Sequence, residues 1–310
     1  MTQHVSIPPH VARAIVEVHG NAARSWLDQL PNHIETAVSR WGLRLGEPLT
    51  PSSYSHAVAA TGPDGSAVVL KASYPCDALR DEIAALRTFD GRGVARLVDS
   101  DQESGLLLLE RLVPGTNLET VGEQAAMAAF CSVVRQLHRP VPAGHRFPTT
   151  QDWAAGLTRL RKHFGGGTGP FPSALVSTAE SLFEDLHGSA SSPVLLHGDL
   201  HHGNILAASR TAWLAIDPKG VSGEPAYEVG AFLRNPMLAV LELPNAAHVL
   251  ARRVDYFSKE LELPRDRLLG WAVAQAVLAA WWSYEDHRAR WEPWLRYAEL
   301  MLELLKKRGA

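Results

Sequence analysis

Apolar positions in the first forty residues recur at helical spacing, with Val11, Ile15 and Val18 followed by Trp26, Leu27 and Leu30. Pro8 and Pro9 suit a first helical turn, Pro31 interrupts the period, and Ile34, Val38 and Trp41 resume it. The pattern predicts a helical segment over 8–41 broken at Pro31. From Leu43 the period shortens. Residues 44–48, 55–60 and 67–70 read as strands, with Gly62-Pro63-Asp64-Gly65 as the hairpin turn between the last two. Leu79, Ile83 and Leu86 mark one face of a helix over 78–89, which Gly91 and Gly93 end. Strands at 95–100 and 105–109 follow, the second carrying four consecutive leucines.

Beyond the break at Pro114-Gly115 the pattern is mainly helical, over 118–137, 152–164, 173–187, 228–240, 246–260, 265–284 and 291–307. The stretch 268–282 is apolar on most faces and is expected to be buried. Residues 140–148 form a Pro/Gly loop. The glycine-rich 165–172 reads as a surface loop, because no strand precedes it and no Lys-Ser/Thr follows, so it is not a Walker phosphate loop. Two short apolar runs, 194–196 and 213–216, interrupt the helices as buried strands. The expected class is therefore α+β. Its divisions are a helical extension over 1–41, a mainly antiparallel sheet with one helix over 42–110, and a larger helical part over 111–310.

Composition narrows the picture. At 310 residues the chain exceeds the usual single core of about 250 residues. With 46% hydrophobic and 20% charged residues it has the makings of a substantial core. A net charge of −3 provides no basic field for nucleic acid. Cys76 and Cys131 lack CxxC spacing, so they read as buried packing residues rather than a disulfide or zinc framework. The N-terminal stretch has no secretory pattern and no apolar run reaches a membrane-spanning length, so a cytoplasmic protein is expected.

The candidate chemistry lies in residues 194–220, VLLHGDLHHGNILAASRTAWLAIDPKG. Asp199, Asn204 and Asp217 stand where strands end and loops begin, positions a scaffold can aim. Asp199 and Asn204 have the D-x-x-x-x-N spacing of a kinase catalytic loop, and Asp217 follows at the end of an apolar run: one candidate base and two candidate magnesium ligands. Upstream, Lys71 closes an apolar strand, either as a snorkelling surface residue or as the strand lysine that holds nucleotide phosphates. Glu82 lies on the near-core flank of the next helix, with Asp81 further round. As the chain leaves the leucine strand, the C=O of Glu110 and the N–H of Leu112 stand where an adenine edge would be read. Lys71, Glu82, Asp199, Asn204 and Asp217 occur in kinase order. A rival reading is a metallohydrolase built on His197, Asp199, His201 and His202, but the spacing matches neither H-x-H-x-D-H nor HExxH. A nucleotide-binding protein without catalysis is the other alternative, and the intact Asp199 argues against it.

VLLHGDLHHGNIL followed by AIDPKGVSGEPAYEVG resembles the aminoglycoside phosphotransferase superfamily, in its aminoglycoside 6-phosphotransferase/hydroxyurea-resistance kinase branch. The resemblance implies a two-lobed protein-kinase-like fold, ATP or another nucleoside triphosphate, and Mg2+. It implies phosphoryl transfer to a small cationic or hydroxylated acceptor, a streptomycin-type aminocyclitol first, with hydroxyurea or another metabolite as the alternative. Asp199 matches the catalytic aspartate and His197 the residue that orders its loop. Asn204 and Asp217 match the magnesium ligands, Lys71 and Glu82 the strand-lysine pair, and Glu228 a buried brace. The departure is the nucleotide-covering loop: PSSYSHA contains no glycine, so Ser52, Ser53 and Ser55 would meet phosphate instead. A polycationic acceptor calls for carboxylates near Asp199, for which Glu224, Asp255, Glu285 and Asp286 are the candidates.

Overall fold

The computed structural model describes residues 7–49, 55–190, 192–288 and 290–307. Two helices, α1 (Pro9–His19) and α2 (Asn21–Trp41), precede an antiparallel sheet of five strands in the order β1-β2-β3-β5-β4. The strands are β1 (Arg44–Pro48), β2 (Ser55–Thr61), β3 (Ala67–Ser73), β4 (Leu97–Asp101) and β5 (Leu106–Glu110), with α3 (Asp77–Phe89) between β3 and β4. The four leucines of β5 alternate between two cores, as a strand's period of two requires. Leu107 and Leu109 join Leu79, Ile83 and Leu86 of α3. Leu106 packs against Val11, Ile15, Trp26 and Leu30 of the N-terminal helices. The sheet is thus covered on both faces, and the indoles of Trp26 and Trp41 pin α2 to it by donating to Ser104 O (3.0 Å) and Asp99 Oδ2 (2.7 Å).

Pro31 does not break the N-terminal pattern. α2 runs through it, because Trp26, Leu30, Ile34 and Ala37 form one continuous buried stripe. Packing of that stripe outweighs the cost, about 3 kcal/mol, of an interior proline.

After Glu110 the chain enters the helical part. Here lie β6 (Pro114–Asn117), α4 (Glu123–Leu137), β7 (Arg139–Pro140), α5 (Thr150–His163), α6 (Ser173–Gly188) and β8 (Val194–Leu196). Then come β9 (Ile205–Ala208), β10 (Trp213–Ala215), β11 (Val221–Gly223), α7 (Pro225–Leu233) and α8 (Met237–Leu241), followed by α9 (Ala246–Glu260), α10 (Arg265–His287) and α11 (Glu292–Lys306). Two small sheets, β10-β9-β6 and β11-β8-β7, carry the loops of interest. β6 stands where the sequence suggested only a break. Its pairing partners, Ala208 for Pro114 and Leu206 for Asn117, are supplied from about ninety residues away. The helix expected over 228–240 is instead α7 and α8, separated around Asn235-Pro236. The 165–172 stretch is anchored rather than purely superficial: Phe171 is buried against Trp281 and Trp291. Cys131 is buried as expected, whereas Cys76, at the start of α3, is only half-buried. The centre of α10, including Trp271 and Trp281, is core. No helix among the described residues is long and apolar enough to cross a membrane.

Two further links tie the sheet lobe to the helical lobe. Ala95 N–H donates to Ala215 O and Ala215 N–H to Gly93 O, both at 2.8 Å. Arg210, in the β9–β10 turn, holds the Glu110 carboxylate through two bonds (3.0 and 2.9 Å) and also donates to Gly91 O and Val94 O.

Candidate active site

Lys71 lies in the middle strand of the sheet, paired across to Ala57 of β2 and Leu107 of β5. It is a buried cation between two carboxylates. Its Nζ lies 2.6 Å from Glu82 Oε1 on α3 and 3.0 Å from Asp217 Oδ1 in the loop after β10. Burial alone would lower the Lys71 pKa, but the neighbouring Asp217 and Glu82 outweigh it and push the pKa up. The one cation does not serve both acids equally. Burial acts on Asp217 as on Glu82, yet with Lys71 and Lys219 beside it the Asp217 pKa falls below the usual carboxylate range, while burial leaves that of Glu82 raised. Asp217 adopts φ 59°, a left-handed conformation that Asp tolerates better than most residues.

β8 delivers the chain to His197, Gly198 and Asp199. His197 is fully buried. One ring nitrogen, Nε2, is 2.8 Å from Ile216 O, and the other accepts the Asp199 N–H at 3.2 Å, which assigns the proton to Nε2. Burial pulls the His197 pKa down to about 4, so the imidazole is neutral near pH 7 and serves to shape the loop. Gly198 has φ 85°, and a Cβ there would lie 2.8 Å from Trp153 and 2.9 Å from Val221. From α7, Glu228 accepts the N–H groups of His197 (2.6 Å) and Gly198 (2.9 Å), and burial pushes its pKa up to about 7. Asp199, at the end of this braced turn, keeps a third of its side chain exposed. Asn204 Nδ2 donates to Asp199 O at 2.9 Å, so the amide oxygen is its opposite end.

Between the two lobes lies a cavity of about 460 Å³. Ala57, Val69, Leu109, Leu112, Leu206 and Ile216 line it with hydrocarbon, while Ser55, Lys71, Asn204 and Asp217 contribute polar groups. A flat base and an anionic phosphate chain need this kind of two-part lining. Glu110 and Leu112 border it, and the Glu110 side chain is committed to Arg210. Ser52 and Ser53 lie outside the described residues. Ser55 begins β2, buried, opposite Ser73.

Neighbouring arginines take three of the four proposed substrate carboxylates. Glu224 is buried and pairs with Arg267, and it also accepts the Trp271 indole N–H at 3.0 Å. Asp255 pairs with Arg265 at 2.6 Å, and Glu285 takes a two-pronged bond from Arg159 at 2.9 Å. Asp286, exposed on the last turn of α10, adds to the field on the same Arg159. None of the four lines the cavity.

The donor set fits a hard cation: among the residues lining the cavity, the Asp217 carboxylate and the Asn204 amide would each offer an oxygen. The histidines diverge. His197 turns to Ile216 O, His201 Nδ1 accepts the Gly203 N–H at 3.0 Å, and His202 stacks on Phe232 with centroids 3.9 Å apart. Among the described residues no three His, Cys, Asp or Glu side chains converge on a metal position. Sequence patterning passed over Arg234, whose Nη2 lies 3.9 Å from Asp199 Oδ1, and nothing in the local spacing marks it.

The profile of the family described as "Aminoglycoside/hydroxyurea antibiotic resistance kinase" matches residues 40–287. Streptomycin 6-kinase of Streptomyces glaucescens is 31% identical over 291 residues, spanning 93% of this chain and 94% of that protein. Hydroxyurea phosphotransferase of Kitasatospora aureofaciens is 32% identical over 292 residues, 91% of this chain and 81% of that protein. Among solved structures, a thermostable mutant of aminoglycoside phosphotransferase APH(4)-Ia bound to ADP and hygromycin B superposes with a TM-score of 0.63 at 17% identity, covering 88% of this chain and 97% of that one. Choline kinase LicA from Streptococcus pneumoniae superposes at 0.61 with 12% identity, covering 89% and 99%. At such identities these two speak for the fold, a two-lobed kinase-like architecture.

Proposed function

The chain belongs to the aminoglycoside/hydroxyurea antibiotic resistance kinases, and from that premise we propose that it transfers the γ-phosphoryl group of ATP to a hydroxyl of a streptomycin-type aminocyclitol. It is a nucleotide-dependent phosphotransferase with an alcohol acceptor. The observation that carries the finer reading is the Lys71 ammonium, held between Glu82 and Asp217 at the polar end of a cavity whose remainder is largely hydrocarbon.

In this reading the adenine lies between Ala57 and Val69 above and Leu206 and Ile216 below, with its edge toward the backbone of Glu110 and Leu112. Lys71 faces the α- and β-phosphates, and Glu82 keeps it from collapsing wholly onto Asp217. Asp199 orients the acceptor hydroxyl and takes its proton as the new O–P bond forms. The bond from the γ-phosphorus to its bridging oxygen breaks, and ADP leaves. His197 and Glu228 move no proton. They fix the backbone of 197–199 so that the Asp199 carboxylate is aimed before substrate arrives. Magnesium, held by Asp217 and Asn204, would neutralise charge on the phosphates. We assign the nucleotide-covering lobe to 42–110, with 1–41 as an extension packed on it, and the acceptor region to 111–310. A cytoplasmic location follows from the use of ATP.

Glu224, Asp255 and Glu285 are satisfied by arginines, so the reading does not rest on them for acceptor recognition. Hydroxyurea is the second acceptor to test, because a hydroxyurea phosphotransferase is as similar as the streptomycin kinases. The experiment is ATP turnover by the purified protein with streptomycin, other aminoglycosides, hydroxyurea and amino sugars offered singly. Streptomycin is expected to stimulate ADP release and to appear phosphorylated at its 6-hydroxyl. If none of these compounds stimulates turnover, the antibiotic-kinase reading is wrong.

A further inference from the structure

Arg234 is the first residue after α7, and its side chain is 11% exposed. Nη2 lies 3.9 Å from Asp199 Oδ1, within ion-pair range but beyond a hydrogen bond. Nη1 donates to Gln275 Oε1 at 2.7 Å, the guanidinium carbon stands 5.8 Å from the Trp294 ring centroid, and the buried Nε has no hydrogen-bond partner. Gln275 is in turn fixed by donating to Tyr227 O at 2.6 Å. One more residue makes this arrangement possible. At Gly230 a Cβ would come within 2.4 Å of Gln275 Oε1, so α7 lets the amide reach Arg234 only because that position has no side chain.

We propose that Arg234 is a positioning residue for phosphoryl transfer: it holds the Asp199 carboxylate toward the acceptor hydroxyl, and Gln275, admitted by Gly230, holds Arg234. The proposal rests on the reading of Asp199 as the group that takes the acceptor proton. At 3.9 Å the guanidinium attracts the carboxylate without occupying a lone pair, which leaves both oxygens open to a hydroxyl. An amide on one side and an indole face on the other restrict the guanidinium, so the field it exerts on Asp199 has a fixed direction. The cation comes from a helix outside the catalytic loop. The aim of Asp199 therefore depends on how α7 packs against α10, and not on the HGD turn alone. Glu228 and Arg234 sit six residues apart on and just past the same helix, so α7 grips the backbone of the loop with one and the side chain of its aspartate with the other.

The test compares Arg234→Met, Arg234→Lys, Gly230→Ala and Asp199→Asn, together with the Asp199→Asn/Arg234→Met double variant. Rates are measured with streptomycin as acceptor and separately as acceptor-free ATP hydrolysis, so the outcome does not hang on the acceptor's identity. Arg234→Met is expected to lower kcat about 30-fold or more with the KM for ATP changed by less than about two-fold, since the effect lies on orientation and not on nucleotide binding. Arg234→Lys should recover part of that loss. Gly230→Ala, which pushes the Gln275 amide off Arg234 and Tyr227 O but leaves every charged residue in place, should lower kcat in the same manner, with a fall in melting temperature from the broken buried bonds. In the Asp199→Asn background, Arg234→Met should cost less than about three-fold, because there is no carboxylate left to aim. Equal losses in both backgrounds, or a kcat within two-fold of the parent for both Arg234→Met and Gly230→Ala while Asp199→Asn keeps only a small residual rate, would overturn the proposal and leave the Asp199 reading intact. An active Asp199→Asn enzyme would remove both.

Discussion

The Glu228 carboxylate accepts the backbone N–H of His197 at 2.6 Å inside a fully buried environment, and its other oxygen takes the N–H of Gly198. The turn that carries Asp199 thus hangs from α7 by two charge-assisted bonds. Glu228→Gln keeps the shape but offers one accepting oxygen for two donors and turns an NH2 toward the second. Loss of stability by about 1–3 kcal/mol is expected from the unpaired buried donor, along with a fall in kcat of at least ten-fold. Urea denaturation and steady-state kinetics on the same preparation check both. An unchanged kcat would show that the brace does not govern the loop.

Stability should decline on mild acidification. Burial holds His138 and His197 at about 4 and His202 at about 3. Below the unfolded value of about 6.5 the unfolded chain therefore binds protons that the folded chain refuses, and stability drops as the pH falls. Glu228 acts in the opposite sense. Raised to about 7, it takes up a proton in the folded chain well before the unfolded glutamate does, so its contribution grows as the pH falls. His19, His56, His187 and His201 are lowered by burial in the same way, and Glu82 is raised alongside Glu228. Histidines outnumber raised acids over pH 6.5 to 4.5, so the urea midpoint at pH 5 should lie below that at pH 7. In Glu228→Gln, where one counterweight is gone, the drop should be steeper. A higher midpoint at pH 5 in the parent would contradict the account.

Removing Lys71 leaves two carboxylates facing each other across a buried site. Lys71→Met is expected to cost about 3–5 kcal/mol, the usual result of stripping one partner from a buried charge set. ATP turnover should fall at least a hundred-fold. Glu82→Gln still gives the ammonium an acceptor and should be milder on both counts. Differential scanning calorimetry with and without ADP separates the folding cost from the loss of nucleotide affinity.

If Asp217 and Asn204 hold magnesium, EDTA should abolish turnover and added Mg2+ should restore it. Asn204→Ala also removes the donor to Asp199 O. It should therefore raise the Mg2+ concentration for half-maximal rate about ten-fold and lower the rate at saturation. A variant with an unaltered Mg2+ requirement would exclude Asn204 as a ligand.

The sheet was legible because β2, β3 and β5 are short apolar runs, buried on both faces, and a turn as specific as Gly62-Pro63-Asp64-Gly65 leaves little choice of register. The order of Lys71, Glu82, Asp199, Asn204 and Asp217 was readable from spacing, although only Asp199, Asn204 and Asp217 stand in loops beside strand ends, while Lys71 lies within β3 and Glu82 within α3. What the sequence did not disclose depends on partners distant along the chain. β6 is a strand only because Leu206 and Ala208 pair with it. Glu224 and Glu285 stood among the candidates for an acceptor's cations, and no local pattern signals that helices bring Arg267, 43 residues away, and Arg159, 126 residues away, against them. Arg234 carries no local signature, because its significance lies in Asp199 on one side and Gln275 on the other.

The links made by Arg210 and by the Ala95–Ala215 pair fasten the C-terminal end of α3 and the end of β5 to the helical lobe. A rotation about the line through these two fastenings would break neither and would open the cleft like a book bound along that spine. The pages nearest the spine, where Glu110 and Leu112 would read a base, hardly travel. Away from that spine, Lys71 pairs with Asp217 and Asp81 with His145 across the two lobes. The 3.0 Å between Lys71 and Asp217 would lengthen with any such parting, which makes that distance a gauge of it.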